Sequence, residues 1–197
     1  MKKKHLVLAV LIGSIFIVNT AWRMPQDKRD IQAILVKVIN NVEKKETAKG
    51  WTTAIPLDKL RSGYEVRTQA KSVAVVLFSD QSKLIVREKS IAEIKGQVQG
   101  KQVLDRNVHM ARGGIRFDVK KGEKEQFRFS SPISVASIRG TSGLWNQTEG
   151  FSTFIMNTGG LDLTSLISNR SEIVNQGFTG VADSTGNLLV RESTKDE

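Results

Sequence analysis

The sequence contains no cysteine, which excludes disulfide bonds, thiol catalysis and cysteine-ligated zinc. Histidine is almost absent as well: His5 lies in an apolar N-terminal segment, so only His109 remains for the rest of the chain. A metal site with so little histidine would need clustered carboxylates, and the acidic residues are scattered. No nucleophile elbow, phosphate-binding loop or dinucleotide fingerprint is present. We therefore predict a protein that is not an enzyme and that uses no cofactor or metal.

Aromatic residues are also few, at 6% of the chain with a single tyrosine, although the net charge is +10. The basic residues are interspersed with acidic ones, as in residues 120–125. Nucleic-acid binding favours a dense basic face with interleaved aromatic side chains, so we expect no nucleic-acid partner. The positive charge indicates either an ordinary solvated surface or contact with an acidic polymer.

The N-terminus has the layout of an export signal. Lys2, Lys3 and Lys4 precede the uncharged apolar run at residues 6–18, which is shorter than the roughly 20 apolar residues of a membrane span. The pairs available for cleavage, Val18 with Thr20 and Asn19 with Ala21, depart from Ala-x-Ala, and no cysteine follows for a lipid anchor. We expect residues 1–24 to be a cleaved signal peptide or an uncleaved signal anchor. The membrane would then be a partner only through this segment, with the rest of the chain exported.

Residues 27–46 fit two structures. Their apolar residues have helical spacing, with Asp27 or Asp30 as the N-cap. The same residues fit a β-hairpin, in which a turn at Asn40 and Asn41 joins two strands rich in β-branched side chains. Periodicity slightly favours the helix, and the composition favours the hairpin. The apolar positions are Ile31, Ile34, Leu35, Val38, Ile39 and Val42.

The rest of the chain shows β-strand patterns. Residues 113–119 and 125–131 alternate on either side of a charged segment, which predicts that Phe117, Phe127 and Phe129 face one core. Turn signals recur about every ten residues. The sequence therefore predicts an all-β fold, an antiparallel sandwich or a solenoid-like arrangement of short strands after the N-terminal signal or anchor helix. The domain is expected to span residues 25–192, with a charged tail at residues 193–197.

Several segments resemble the FecR domain. "SPISVASIRGT" at residues 131–141 is similar to its signature, in which a strand of small and aliphatic residues ends in Arg-Gly-Thr. "GWTTAIPLDKLRSGYEVRT" at residues 50–68 resembles the segment upstream, and residues 72–94 resemble the hairpin that follows it. Residues 151–163 and 172–183 are similar to later strands. The order and spacing of these segments carry the resemblance.

The resemblance covers roughly residues 32–183 and implies an extracytoplasmic all-β domain that begins with a strand pair, which favours the hairpin over the helix. One departure is Gln81, which stands where the family has the glycine of an Asp-Gly-Ser turn. The best-known members control a sigma factor through a cytoplasmic N-terminal domain. Because only a few residues, 1–5, precede the apolar run here, we expect no direct regulation of a sigma factor.

The candidate site residues have two interpretations. Gly140 can adopt a positive φ and so bend the strand, while the Thr141 hydroxyl and the Arg139 guanidinium can bond to backbone groups at the same corner. The alternative is that the arginine contacts a ligand. Arg67 and Thr68 close an earlier strand in a similar way. The two tryptophans are expected to pack in the core or at its rim, or to line a binding surface. The candidates for contact or fold corner are Arg139, Gly140, Thr141, Arg67, Thr68, Trp51 and Trp145.

Three functions follow as hypotheses. The first is a non-enzymatic periplasmic interaction module, a scaffold or accessory subunit of an envelope assembly such as a secretion or filament system, with another envelope protein as its partner. The second is a ligand-binding sensor that signals through a separate membrane protein, with a concave pocket near Arg139 or Arg67. The third is binding of an acidic glycan or cell-wall polymer.

Overall fold

The computed structural model describes residues 31–99, 102–122 and 126–196, in which β-strands are joined by turns and loops. These residues contain no helix, so the all-β prediction is confirmed and no membrane-crossing helix is found among them. The predicted signal or anchor at residues 1–24 lies outside the described residues. The strands are β1 (Ile31–Ile39), β2 (Val42–Lys45), β3 (Trp51–Thr53), β4 (Lys59–Arg61), β5 (Tyr64–Thr68), β6 (Val73–Phe78), β7 (Lys83–Val86), β8 (Ile91–Gln99), β9 (Gln102–Val119), β10 (Gln126–Ser130), β11 (Ser134–Ile138), β12 (Thr141–Gln147), β13 (Phe151–Thr158), β14 (Gly160–Ser165), β15 (Ser171–Asn175), β16 (Phe178–Asp183) and β17 (Leu188–Glu192).

The strands form two layers that share β9. In layer A the hydrogen-bonded order is β4-β1-β6-β7-β9-β12-β13-β16-β17. In layer B it is β3-β2-β5-β8-β9-β10-β11-β14-β15. Among the described pairs only β9 and β10 run parallel. The arrangement is therefore mixed, and the prediction of a purely antiparallel arrangement was wrong at this pair.

Strand β9 passes from one layer to the other at Gly113. Its residues up to Arg112 pair with β8 in layer B, and those from Gly113 onward pair with β12 in layer A. Gly113 has a φ of 112°, and a Cβ there would lie 2.1 Å from the Ser90 hydroxyl oxygen and 2.4 Å from the Ser90 Cα. Only glycine fits this backbone conformation and this close approach.

The core lies between the layers. The ring centroid of Phe129 in layer B is 4.9 Å from that of Phe117 and 5.1 Å from that of Trp145, both in layer A. Phe127, two residues before Phe129 on the same face of β10, lies 5.3 Å from it. The two layers therefore pack face to face, and the predicted common core of the three phenylalanines is confirmed.

Residues 31–45 are strands, as the family resemblance implied, but they do not form a hairpin. β1 pairs with β4 and β6 in layer A, whereas β2 pairs with β3 and β5 in layer B. The turn between them holds Asn40 at a φ of 58°. The chain changes layers here because Leu35 and Val42, both buried, then enter the common core from opposite sides.

Candidate functional site

The Arg-Gly-Thr segment joins β11 in layer B to β12 in layer A. Gly140 has a φ of 66°, and Thr141 is 2% exposed. The Thr141 hydroxyl donates to the backbone carbonyl of Gly160 at 2.9 Å, which ties the passage to β14. Arg139 is exposed, and its Nε donates to the carbonyl of Gly122 at 3.2 Å. These contacts shape the passage between the layers.

Thr68 lies at a second passage, where the chain leaves β5 in layer B for β6 in layer A. Its side chain is buried, and its hydroxyl accepts a hydrogen bond from the backbone N–H of Ser90 at 3.0 Å. The same hydroxyl donates to the carbonyl of Arg87. The Ser90 hydroxyl in turn accepts from the N–H of Gly114 at 2.9 Å, beside the point where β9 changes layers. Two layer passages are thus connected through Thr68 and Ser90.

Arg67 and Trp51 form a cluster on the outer surface of layer B. The Nε and Nη2 atoms of Arg67 lie 2.9 and 2.8 Å from one carboxylate oxygen of Glu43. The Arg67 guanidinium is 4.2 Å from the centroid of the Trp51 ring, and the ammonium of Lys45 is 5.7 Å from it. Hydrogen bonds from Gln69 and Arg67 hold the pKa of Glu43 below its usual value. Contacts with two cations therefore already engage the half-buried Trp51 ring.

Trp145 lies in the core. It is fully buried, its indole N–H donates to the Ser152 hydroxyl at 2.9 Å, and its ring stacks on Phe154 at 5.3 Å with an interplanar angle of 9°. A partner cannot reach this side chain without unfolding the domain.

The seven candidate residues do not form one site. Arg67 is on β5, and Arg139 directly follows β11, four strand positions away in layer B. At about 4.8 Å per strand this separates them by about 19 Å. Trp51 contacts Arg67, whereas Gly140 and Thr141 follow Arg139 directly in the chain.

Sequence reasoning missed Arg106, which connects the two layers. Its side chain is 2% exposed although it belongs to β9 in layer B. Its Nη1 lies 2.8 Å from the carboxylate of Asp80 in the turn between β6 and β7, and its Nη2 donates to the Ser79 hydroxyl at 3.0 Å. The alternation of the strand indicates that Arg106 is buried, because it precedes the buried Val108 and Met110 at a spacing of two. The alternation does not indicate its partner.

The same ion pair supports the turn that lacks the family's glycine. Gln81 adopts a φ of 69°, a conformation that glycine accommodates more easily. The carboxylate of Asp80 accepts hydrogen bonds from the Ser82 N–H at 3.0 Å and from the Ser82 hydroxyl at 2.8 Å. The turn is therefore held by side chains rather than by a glycine.

A polar depression of about 430 Å³ lies on the outer side of layer B. Neither Arg67 nor Arg139 lines it, in contrast to the pocket expected for a ligand sensor. His109 is on the same face, where its Nδ1 lies 3.2 Å from the Ser130 hydroxyl oxygen, and burial followed by the charge of Lys95 lowers its pKa. Within the described ranges, no group of three or more histidine and acidic side chains is placed to hold a metal ion. The depression is lined by Thr47, Ser62, Gly63, Glu93, Lys95, Gly96, Asp105 and Asn107.

Comparisons with known proteins support the fold of this chain. The family described as FecR protein matches residues 64–160. This span is shorter than the residues 32–183 over which the sequence resembles the FecR domain. Two crystal structures of a candidate anti-sigma factor from Parabacteroides distasonis are similar in fold, with TM-scores of 0.56 and 0.55 at 14% and 13% identity. Each similarity covers 66% of this chain and 59% of the other chain. No curated protein matches the sequence.

Proposed function

Residues 64–160 match the family described as FecR protein, and from this premise we propose that the chain is a non-enzymatic interaction module of the cell envelope. It is exported to the periplasm, where it docks on another envelope protein as a scaffold or accessory subunit of an assembly such as a secretion or filament system. Its membrane contact, where there is one, is the N-terminal segment.

One observation carries the proposal: the residues that first suggested a site make contacts that build the domain. Thr141 and Thr68 bond to backbone groups at layer passages, Arg67 binds Glu43, and Trp145 is buried. Side chains that already have such partners within the chain are poorly placed to perform chemistry on a small molecule. What remains for function is the extended surface of the two layers, which suits contact with a macromolecule.

The test is crosslinking in intact cells followed by mass spectrometry of the purified adduct. We expect one abundant protein partner at fixed stoichiometry, absent from a parallel preparation of an unrelated exported protein with the same tag. If no protein is recovered above that background, the chain is not an interaction module of this kind.

Binding of an acidic polymer is the second candidate, and it is favoured by cations on layer A that form no ion pair within the described residues. No acidic side chain of the described residues lies within ion-pair distance of Lys37, Lys83, Arg87 or Arg116. Binding to heparin, used as an acidic glycan probe, should weaken steeply with salt, because surface charges are screened within about 8 to 10 Å at ordinary ionic strength. Binding that does not change with salt would show that these cations are not the contact.

A further inference from the structure

The outer face of layer A carries a row of aliphatic side chains. In β6 the side chains of Ala74, Val76 and Phe78 are buried in the core, so the alternating Val73 and Val75 lie on the outer face. The strand register continues this face across neighbouring strands, from Val75 to Ile85, Arg116, Leu144 and Ile155 in turn. Val75, Ile85 and Leu144 are half-buried, and Ile155 is 7% exposed. We call these five residues the layer A row.

Arg116 lies in the middle of the layer A row. Its side chain is exposed, and aliphatic residues flank it on both sides, Ile85 on β7 and Leu144 on β12. No acidic side chain among the described residues pairs with it. The acid that follows it on the same face, Asp118, is bound by Lys120 at 3.0 Å. The row therefore combines partly exposed aliphatic side chains with a cation that forms no ion pair with any described acidic residue.

The outer face of layer B is different, because most of the charges on its central strands form ion pairs with one another. Lys45 pairs with Glu65 at 2.7 Å, and Lys95 pairs with Glu93 at 3.0 Å. Arg67 binds Glu43, and Arg128 binds Asp105. Polar residues complete the central strands of this face, including Asn107 on β9 and Ser130 on β10. The centre of the layer B face is therefore polar, whereas the layer A row is largely aliphatic.

Sheet faces with aliphatic rows are ordinarily covered by another structural element. An arginine within such a covered surface requires a hydrogen-bonded counter-ion, because an unpaired charge is costly to bury, and arginine is enriched among the residues that dominate interface energetics. The row has no aromatic side chain of the kind that anchors proteins at a lipid interface, and it crosses the middle of a sheet rather than a loop tip. A protein partner fits this chemistry better than a membrane does.

We propose that the outer face of layer A docks an apolar segment of another envelope protein, and that a carboxylate of this segment pairs with Arg116. The inference rests on the proposed function and assigns the docking surface of the interaction module to the outer face of layer A. The row spans five strands, about 19 Å, which equals the length of a helix of about 13 residues. The partner segment is therefore amphipathic, with an aspartate or glutamate beside its apolar side chains.

The test places a photo-crosslinking amino acid at Ile85 or Leu144 in the full chain in living cells. Matched positions on layer B are Ser137 and Asp162, which are exposed and face each other across β11 and β14. We expect a protein adduct from the layer A positions and none from layer B, with a partner peptide that contains a carboxylate beside apolar residues. Arg116→Glu should reduce the adduct about tenfold or more, whereas Arg116→Lys should retain most of it.

Other results separate the inference from the proposed function. Protein adducts from layer B alone, or layer A adducts that Arg116→Glu leaves unchanged, overturn the inference and leave the interaction module intact. Adducts to phospholipid, to a polymer, to a second copy of this chain or to its own residues 1–30 also overturn it. If neither face yields a protein adduct, the proposed function fails as well. Because Arg116 is exposed, an unchanged melting temperature shows that its variants remain folded.

Discussion

The outer faces of the two layers are built on the same alternation, yet their chemistry is different. On layer B, the row that contains Glu65, Glu93 and His109 is polar, and its charges are paired within the chain. On layer A, the corresponding row is aliphatic apart from Arg116, which pairs with no acidic side chain in the part of the chain that the structure describes. The comparison teaches that the same alternation can produce one outer face whose central charges are paired within the chain and another on which aliphatic side chains flank an exposed cation.

The largest expected effect comes from Gly113, where β9 passes from layer B to layer A. Gly113→Ala places a Cβ 2.4 Å from the Ser90 Cα at a φ of 112°, so the strand can no longer change layers without a backbone shift. We expect a loss of about 3 to 5 kcal/mol in the free energy of unfolding, from backbone strain together with overpacking. Urea unfolding measures it. Gly50→Ala is the control, because nothing lies within 4 Å of a Cβ there. Equal losses in both variants would show that the close approach at Gly113 does not cause the loss.

The next effect contrasts an ion pair between the layers with one on the face of layer B. Arg106→Met leaves Asp80 without its partner, and we expect a loss of about 2 to 4 kcal/mol, because the arginine is 2% exposed. Arg128→Met removes a pair whose side chains are 39% and 25% exposed, and it should cost less than about 1 kcal/mol. Chemical denaturation of both variants decides the matter. Similar losses would mean that the face of layer B contributes as much as the connection between the layers.

A smaller effect is expected at the two threonine corners. Thr141→Val and Thr68→Val keep the shape of the side chain but remove a buried hydroxyl, which leaves backbone partners unpaired. Each should lose about 1 to 2 kcal/mol in the free energy of unfolding. Thr153→Val on the outer face of layer A serves as the matched control and should be close to neutral. A neutral Thr141→Val would remove the corner role from that hydroxyl.

The smallest effect concerns pH and the face of layer B. Burial and Lys95 lower the pKa of His109, so the folded state favours the neutral ring. The contribution of the neutral His109 ring to the free energy of unfolding is then fully present above the pKa of about 6.5 in the unfolded chain. It is lost as the pH falls through the lower pKa of the folded state. Unfolding curves at pH 7.5 and 5.0 should show less acid sensitivity for His109→Gln than for the wild type. An unchanged or larger acid loss in the variant would contradict this sign.

The sequence was sufficient for the strands and for much of the core. Alternation identified residues 113–119 as a strand. It also placed Phe117, Phe127 and Phe129 in one core, because in each strand every second side chain faces inward. It did not reveal that β1 and β2 occupy different layers, because a hairpin and a passage between layers have the same local pattern and the same Asn-Asn turn. Strand partners are set by packing across the whole chain.

The candidate site was predicted less completely for a related reason. The residue type of Gly140 allows the positive φ that it adopts, and its role as a fold corner stays a prediction. The ion pair of Arg106 with Asp80 joins residues 26 positions apart, and no local pattern indicates such a contact. The layer A row was equally hidden, since Ile85 and Leu144 become neighbours of Arg116 only when β7, β9 and β12 lie side by side.

The most direct test of the contrast between the faces is lysine acetylation, compared between intact cells and the purified protein. Lys37 and Lys83 lie on layer A, and Lys95 lies on layer B; all three are exposed in the free chain. We predict that Lys37 and Lys83 react several-fold more slowly in cells than in the purified protein, because a partner covers their face, while Lys95 reacts equally in both. Equal reactivity of all three lysines in the two samples would contradict the claim that the outer face of layer A is covered in the cell.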